Sequence, residues 1–130
     1  MKFTLGKHEK LKSRKLIEQL YIDGNAIKSF PLRMVFLEKE HTSNFPAQVG
    51  FSVSKRNFKR AVDRNRIKRL MREAYRLQKE IIYPNLDKPY IFMISYIGKE
   101  EWSYNELHKK MRKLLLLFLN ETQKSNTNEE

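Results

Sequence analysis

AQVGFSVSKRNFKRAVDRNRIKRLMREAYR, residues 47–76, changes periodicity in the middle. Its first half alternates. Val49, Phe51 and Val53 share one face of a strand, while Gln48, Gly50, Ser52 and Ser54 share the other. That second face is small and polar, open either to a ligand or simply to solvent. In the second half Ile67, Leu70, Met71, Ala74, Leu77 and Ile81 fall on one arc of a 3.6-residue helix. Arg64, Lys68, Arg69, Arg72 and Arg76 fall on the opposite side. Phe58 and Val62 are out of phase with the arc, which predicts an irregular start, and Pro84 is read as the stop. A strand running straight into a basic amphipathic helix sets the fold class as mixed α and β.

The same stretch decides the charge. Residues 55–76 hold ten Lys or Arg and only Asp63 and Glu73 as acids, about two-thirds of a formal net charge of +12. A solvated helix face of mixed sign would place an acid near each base, four residues away. Two acids are too few. A fixed cation array on a rigid helix is a surface for polyphosphate, nucleic acid foremost. Single-strand binding also wants aromatic or flat apolar groups beside the cations. Tyr21 and Phe36 are the candidates, each weighed against a plain core role.

Outward from this stretch the chain reads helix, strands, helix, strand, helix. Helix one runs from an N-cap at Ser13 to Gly24, with Leu16, Ile17, Leu20 and Tyr21 on its apolar face. Phe30, Leu32, Met34 and Phe36 alternate along a strand that begins near Pro31, and residues 38–46 form a polar loop. Residues 90–97, YIFMISYI, suit a central strand buried on both faces. Ser103 and Glu106 form a capping box before a last helix with Leu107, Met111, Leu114, Leu115 and Phe118 on its core face. The economical architecture is a sheet covered by helices on one side, its basic helix crossing between parallel strands. Residues 1–12 read as a basic extension, with Phe3, Leu5 and Leu11 its sparse apolar positions, 13–119 as one domain and 120–130 as a polar, disordered tail.

Composition excludes several classes. There is no cysteine, hence no disulfide or thiolate chemistry. His8, His41 and His108 lack metal-ligand spacing, and four scattered glycines make no phosphate loop. No paired carboxylates or serine–base arrangement appears, so catalytic residues and protein-bound metal are both expected to be none. The N-terminus has no signal-peptide core. The longest purely apolar run, residues 114–119, is far short of the roughly 20 residues that cross a bilayer. A cytoplasmic protein is expected. Two other readings of the same features are a general or ribosomal RNA-binding protein, and a peripheral membrane protein that exposes residues 114–119.

The run VGFSVSKR at 49–56, then Ala61-Val62, RNRIKR at 64–69, Arg72 and Glu73-Ala74-Tyr75, closely resembles the protein subunit of bacterial ribonuclease P. The likeness extends over roughly residues 8–119. It implies a single α/β (α+β) domain in the order αβββαβα, a small mixed sheet packed by helices with a left-handed crossover through the basic helix, and a short first strand near 27–29. It implies a ribonucleoprotein that hydrolyses the 5′ leader from precursor tRNA, with the active site and its Mg²⁺ in the RNA, and one protein per RNA. Carried over residue by residue, Lys55, Arg56, Arg60, Arg64, Asn65, Arg66, Lys68, Arg69 and Arg72 would contact the ribonuclease P RNA. Ile17, Tyr21, Phe36 and Ser52, with Lys68 nearby, would line a cleft for the precursor-tRNA leader. Two positions depart from the pattern. Ile17 stands where relatives usually carry an aromatic, and Lys59-Arg60 makes the loop more basic than the usual Gly-Asn type.

Overall fold

The computed structural model describes residues 5–41 and 45–128. Phe3 in the expected basic extension, the middle of the expected 38–46 loop and the last two residues of the expected tail lie outside them. The elements in chain order are α1 (Arg14–Asp23), β1 (Asn25–Ser29), β2 (Leu32–Glu38), β3 (Ala47–Val53), α2 (Ala61–Arg76), β4 (Tyr90–Tyr96) and α3 (Tyr104–Asn128). They form one mixed sheet in the order β1-β2-β4-β3. The β1–β2 and β2–β4 pairs are antiparallel, and β3 and β4 are parallel. A parallel pair needs a long crossover, and α2 supplies it. The apolar run at 90–97 takes the interior position its composition asks for, since β4 has a strand on either side.

Strand periodicity splits the side chains between two faces. Leu32, Met34, Phe36, Val49, Val53, Phe92, Ile94 and Tyr96 pack with Ile67, Met71, Ala74 and Tyr75 of α2 and with Leu107, Met111, Leu114, Leu115 and Phe118 of α3. Val35, Ile91 and Met93 point the other way and pack with Leu11 and Leu20, with Leu16, Ile17 and Leu37 alongside. Helices therefore cover both faces, not one: α2 and α3 on the first, α1 on the second. Leu114, Leu115 and Phe118 are buried, so the leucine-rich helix spends its apolar face on the core and the peripheral-membrane reading loses its main support. Among the described residues no helix is long and apolar enough to cross a membrane.

Local signals set most helix starts. Ser13 Oγ accepts from the Leu16 amide at 3.3 Å, and Ser103 Oγ from the Glu106 amide at 3.3 Å. Gly24 ends α1 with extended backbone rather than a left-handed turn. It is needed for room: a Cβ there would clash with the Leu20 carbonyl and stand 2.8 Å from Val35 Cγ1.

Three boundaries differ from the sequence reading. Helix α2 stops at Arg76, well before Pro84, and 3₁₀ turns follow at Lys79–Ile81 and Tyr83–Asn85. Buried Gln78 accounts for the stop: its Nε2 donates to the Ala74 carbonyl at 3.1 Å and to His108 O of α3 at 3.0 Å. The final helix runs on past Leu119 to Asn128, with Thr122 buried and its Oγ1 donating to Leu119 O. The basic N-terminal segment is built into the fold rather than appended to it. Its Leu11 amide donates to Val49 O at 2.9 Å on the edge of β3, and Lys10 bridges Val49 in parallel.

A buried ion pair fastens that segment. Lys79 Nζ lies 2.7 and 2.9 Å from the two Glu9 carboxylate oxygens, both side chains 2% exposed. The Tyr83 hydroxyl donates to Glu9 Oε2, and Tyr75 donates to Tyr83 at 3.3 Å. Burial, the largest cause in each case, pushes both phenols well above their ordinary value of 10.0. A raised phenol favours the fold fully below pH 10, and that contribution disappears as pH rises beyond it. Stability measured by urea unfolding is expected to fall steeply above pH 10, and Tyr83→Phe to flatten that fall. In the same assay Glu9→Gln strands a buried ammonium and is expected to cost about 3–5 kcal/mol. The Glu9→Met, Lys79→Met double variant should lose much less. Equal losses for the single and double variants would contradict this account of the pair.

Candidate nucleic-acid interface

Burying Ile67, Met71, Ala74 and Tyr75 turns the cations of α2 outward. The loop from β3 into α2 is held at both ends. The Asn57 amide nitrogen reaches Ile97 O and Gly98 O at 3.4 and 3.3 Å, and Phe58 packs edge-on against Tyr96, which explains why Phe58 is out of phase with the helix. Arg64 then clamps the loop from the helix, donating to the Phe58 and Lys59 carbonyls at 2.8 Å each. Lys55, Arg56, Lys59 and Arg60 stand exposed on this tethered turn.

The expected RNA-contact residues thus divide by occupation. Arg64 is committed to the loop. Arg66 grips Glu101 with two hydrogen bonds, at 2.8 and 2.9 Å, and also donates to Asp63 at 2.9 Å. Glu101, by hydrogen bond and charge, holds the Arg66 guanidinium above its ordinary value, with a smaller contribution from Asp63. Arg60 lies 3.6 Å from Asp63. Among the described residues no acid pairs with Lys55, Arg56, Lys68, Arg69 or Arg72. Arg69, Arg72 and Asn65 are exposed, and Lys68 is half-buried. Lys55, Arg56, Lys68, Arg69 and Arg72 are the cations left free to meet phosphate.

The opposite face of the sheet carries the residues expected to line a leader cleft, Phe36 excepted. Register places Arg33 beside Ser95, and Ser95 beside Ser52, in a row across β2, β4 and β3. The two hydroxyls are hydrogen-bonded at 2.6 Å. Farther along the same face, Gly50 lies under Met93, where a Cβ would come within 2.7 Å of the methionine methyl, and Gln48 donates to His8 O. The small polar face noted on β3 is therefore covered at one end by the N-terminal segment and Met93, while Ser52 at the other end stays half-buried. Ile17 packs on this side of the sheet. Tyr21, one helical turn on, is 51% exposed.

Phe36 does not join them. It points to the α3 face, 6% exposed, with its ring 5.0 Å from Phe118 and 6.5 Å from Tyr90. The β2 residues on the cleft face are Arg33, Val35 and Leu37. A residue missed from sequence is Arg33, the cation in the serine row; only the pairing register exposes its position. Because β3 is an edge strand, α2 covers one of its faces and Ser52 lies on the other. The cation face and the Arg33–Ser95–Ser52 row flank one strand.

Residues 5–118 match the family model described as Ribonuclease P. The chain belongs to the ribonuclease P protein family. It is 36% identical over 118 residues to the ribonuclease P protein component of Porphyromonas gingivalis, an alignment spanning 88% of this chain and 85% of that one. The protein component of Chlorobium phaeobacteroides is 42% identical over 88 residues, 65% of this chain and 60% of its own. The fold agrees with the RNase P proteins of Staphylococcus aureus (TM-score 0.68, 18% identity, 84% of this chain and 94% of that one) and Thermotoga maritima (TM-score 0.67, 20% identity, 82% and 94%). Family membership makes the chain a subunit of the ribonucleoprotein endonuclease that processes tRNA, partnered with ribonuclease P RNA. Among the described residues no three His, Asp or Glu side chains converge to hold a metal ion.

Glu101 occupies the guanidinium edge that a phosphate would need. Glu101→Gln is expected to tighten RNA binding roughly two- to five-fold at low salt, the scale of an exposed ion pair. Gel-shift titration against a bacterial ribonuclease P RNA checks this; weaker binding would show that Glu101 positions Arg66 rather than competing for it.

Proposed function

We propose that this protein seats on ribonuclease P RNA through the loop at 55–60 and the outer face of α2, and receives the 5′ leader of precursor tRNA in the cleft between α1 and the sheet. The observation that carries the reading is the shared edge strand: unpaired Lys68, Arg69 and Arg72 belong to the helix on one side of β3, and Ser52 with Arg33 to the row on the other. Lys55, Arg56, Arg60, Asn65 and Arg66 extend the first surface, with Arg64 holding the loop in place. Ile17 and Tyr21 complete the second, with Tyr21 the ring available to a base.

The physical logic is electrostatic and then selective. Two polyanions must come together, and a chain of +12 between them lowers their repulsion and releases counterions. Contacts with the leader exist in the precursor and vanish in the mature product, so binding energy spent there favours substrate over product. No protein side chain is required to break the phosphodiester bond. Mg²⁺ belongs to the RNA, where it supplies the Lewis acid and the activated water. The complex acts in the cytoplasm with one protein per RNA.

Full-length protein added to a bacterial ribonuclease P RNA and 5′-labelled precursor tRNA at low Mg²⁺ is expected to raise cleavage sharply at the mature 5′ end, and to do nothing without the RNA. Unchanged cleavage with tight RNA binding would reduce the protein to a general RNA binder. Within that assay Tyr21→Ala is expected to weaken binding of leader-bearing tRNA about ten-fold, the worth of one stacked base. Mature tRNA binding should be untouched. Equal losses for both would remove the leader from this cleft.

A further inference from the structure

Beyond the cation face, the end of the molecule where α2 begins carries an aromatic surface that neither RNA contact uses. Phe30, at the turn between β1 and β2, is 52% exposed. Its ring meets Trp102 edge-on, centroids 5.9 Å apart and planes at 69°. A T-shaped pair does not stack the two rings in parallel. Phe30 is the more exposed ring and the one that can offer its face, while Trp102 is half-buried against the core and supports it. Between them lies an open hollow of about 290 Å³ lined by Phe30, Ile97, Lys99, Glu100 and Trp102. That is the small end of ligand sites and suits a single flat heterocycle better than a folded segment. Cations flank it: Lys99 lines the hollow, and Lys110 Nζ stands 5.8 Å from the centre of the Trp102 ring. Of the two nearby acids, Glu101 is already neutralised by Arg66, and Glu100, exposed at the hollow's edge, is outnumbered by Lys99 and Lys110.

Position gives this patch its partner. Trp102 follows Glu101 in the chain, and Glu101 is in the grip of Arg66. Asn57, from the loop into α2, holds the carbonyls of Ile97 and Gly98 at the hollow's rim. The patch is thus continuous with the cation face of α2. Aromatic rings beside cations on a phosphate-binding surface form the arrangement that holds an unpaired base, the ring stacking and the ammonium groups meeting the adjoining phosphates.

We propose that Phe30 and Trp102 form a stacking platform for one unpaired base of the ribonuclease P RNA, with Lys99 and Lys110 on its phosphates. The proposal rests on the RNA-subunit reading given above. It adds an anchor that fixes where along the RNA the cation face sits, because stacking requires a base free of its helix while phosphate contacts accept any backbone.

Trp102 is the only tryptophan in the chain, so its emission reports on the platform alone. Full-length protein is titrated with a bacterial ribonuclease P RNA while binding is followed independently by gel shift of labelled RNA. Emission is expected to be quenched in step with binding. Phe30→Leu is expected to weaken binding about ten-fold. It should leave the salt dependence unchanged, because no cation is lost. Trp102→Phe keeps a flat ring and should retain most of the affinity that Trp102→Leu loses; thermal unfolding of each variant checks that the fold is intact. Saturated binding with unchanged emission, and parental affinity for Phe30→Leu, would overturn the platform while leaving the subunit reading standing. Quenching that appears only when precursor tRNA is added would overturn the RNA subunit as occupant in favour of the leader. Absence of any RNA binding in the gel shift would overturn the subunit reading, and the platform with it.

Discussion

Everything on this protein's surface depends on how α2 is pinned. The helix crosses from β3 to the parallel strand β4 and buries Ile67, Met71, Ala74 and Tyr75 against the sheet and α3. The hydrophobic effect is indifferent to what lies on the far side of a helix. With the apolar arc fixed inward, the basic residues between have no choice but to face water. Their chain neighbours supply only Asp63 and Glu73 as acids; Asp63 together with Glu101 draws off Arg60 and Arg66, Glu73 pairs with Arg76, and Arg64 is spent on the loop carbonyls. What remains is a set of cations without counter-charge, held by a rigid element.

The second dependency is the N-terminal segment. Leu11 fills the face of the sheet that α1 also covers, and its backbone pairs with the edge of β3. Glu9 reaches the turn after α2 and meets Lys79 in a site from which water is excluded. A buried pair of this kind contributes little net stability, but breaking it is costly. It therefore works as a registration device, fixing the N-terminal segment, the end of α2 and the edge of β3 relative to one another. The small polar face of β3 borders this segment, so the geometry of Gln48, Gly50 and Ser52 inherits its precision.

Much of this was legible in the residues. The arc of α2, the caps at Ser13 and Ser103 and the apolar run of β4 are local signals, and they place those elements to within a few residues. Other features are written only in tertiary contacts. NAIKS at β1 has no pattern of its own and becomes a strand by pairing with β2. The apolar period of α2 continues to Ile81, yet Gln78 and Lys79 end the helix by bonding to α3 and to Glu9, a partner 70 residues away. Phe36 misled because β2 is apolar on both faces: Val35 and Leu37 make alternation silent about which way Phe36 points. Arg33 was invisible for the same reason, its role set by the register with Ser95 and Ser52.

The central claim is that the unpaired cations of α2 bind RNA by displacing its counterions. The most direct measurement is the salt dependence of binding to a ribonuclease P RNA, compared between the parent and a Lys68→Gln, Arg69→Gln, Arg72→Gln variant. Each lost phosphate contact lowers the slope of log K against log salt by roughly 0.7–0.9, so the variant's slope should be shallower by roughly 2–3. An unchanged slope, with the variant still folded, would mean that RNA is held elsewhere on the molecule and that the outward face of α2 is only a solvated surface.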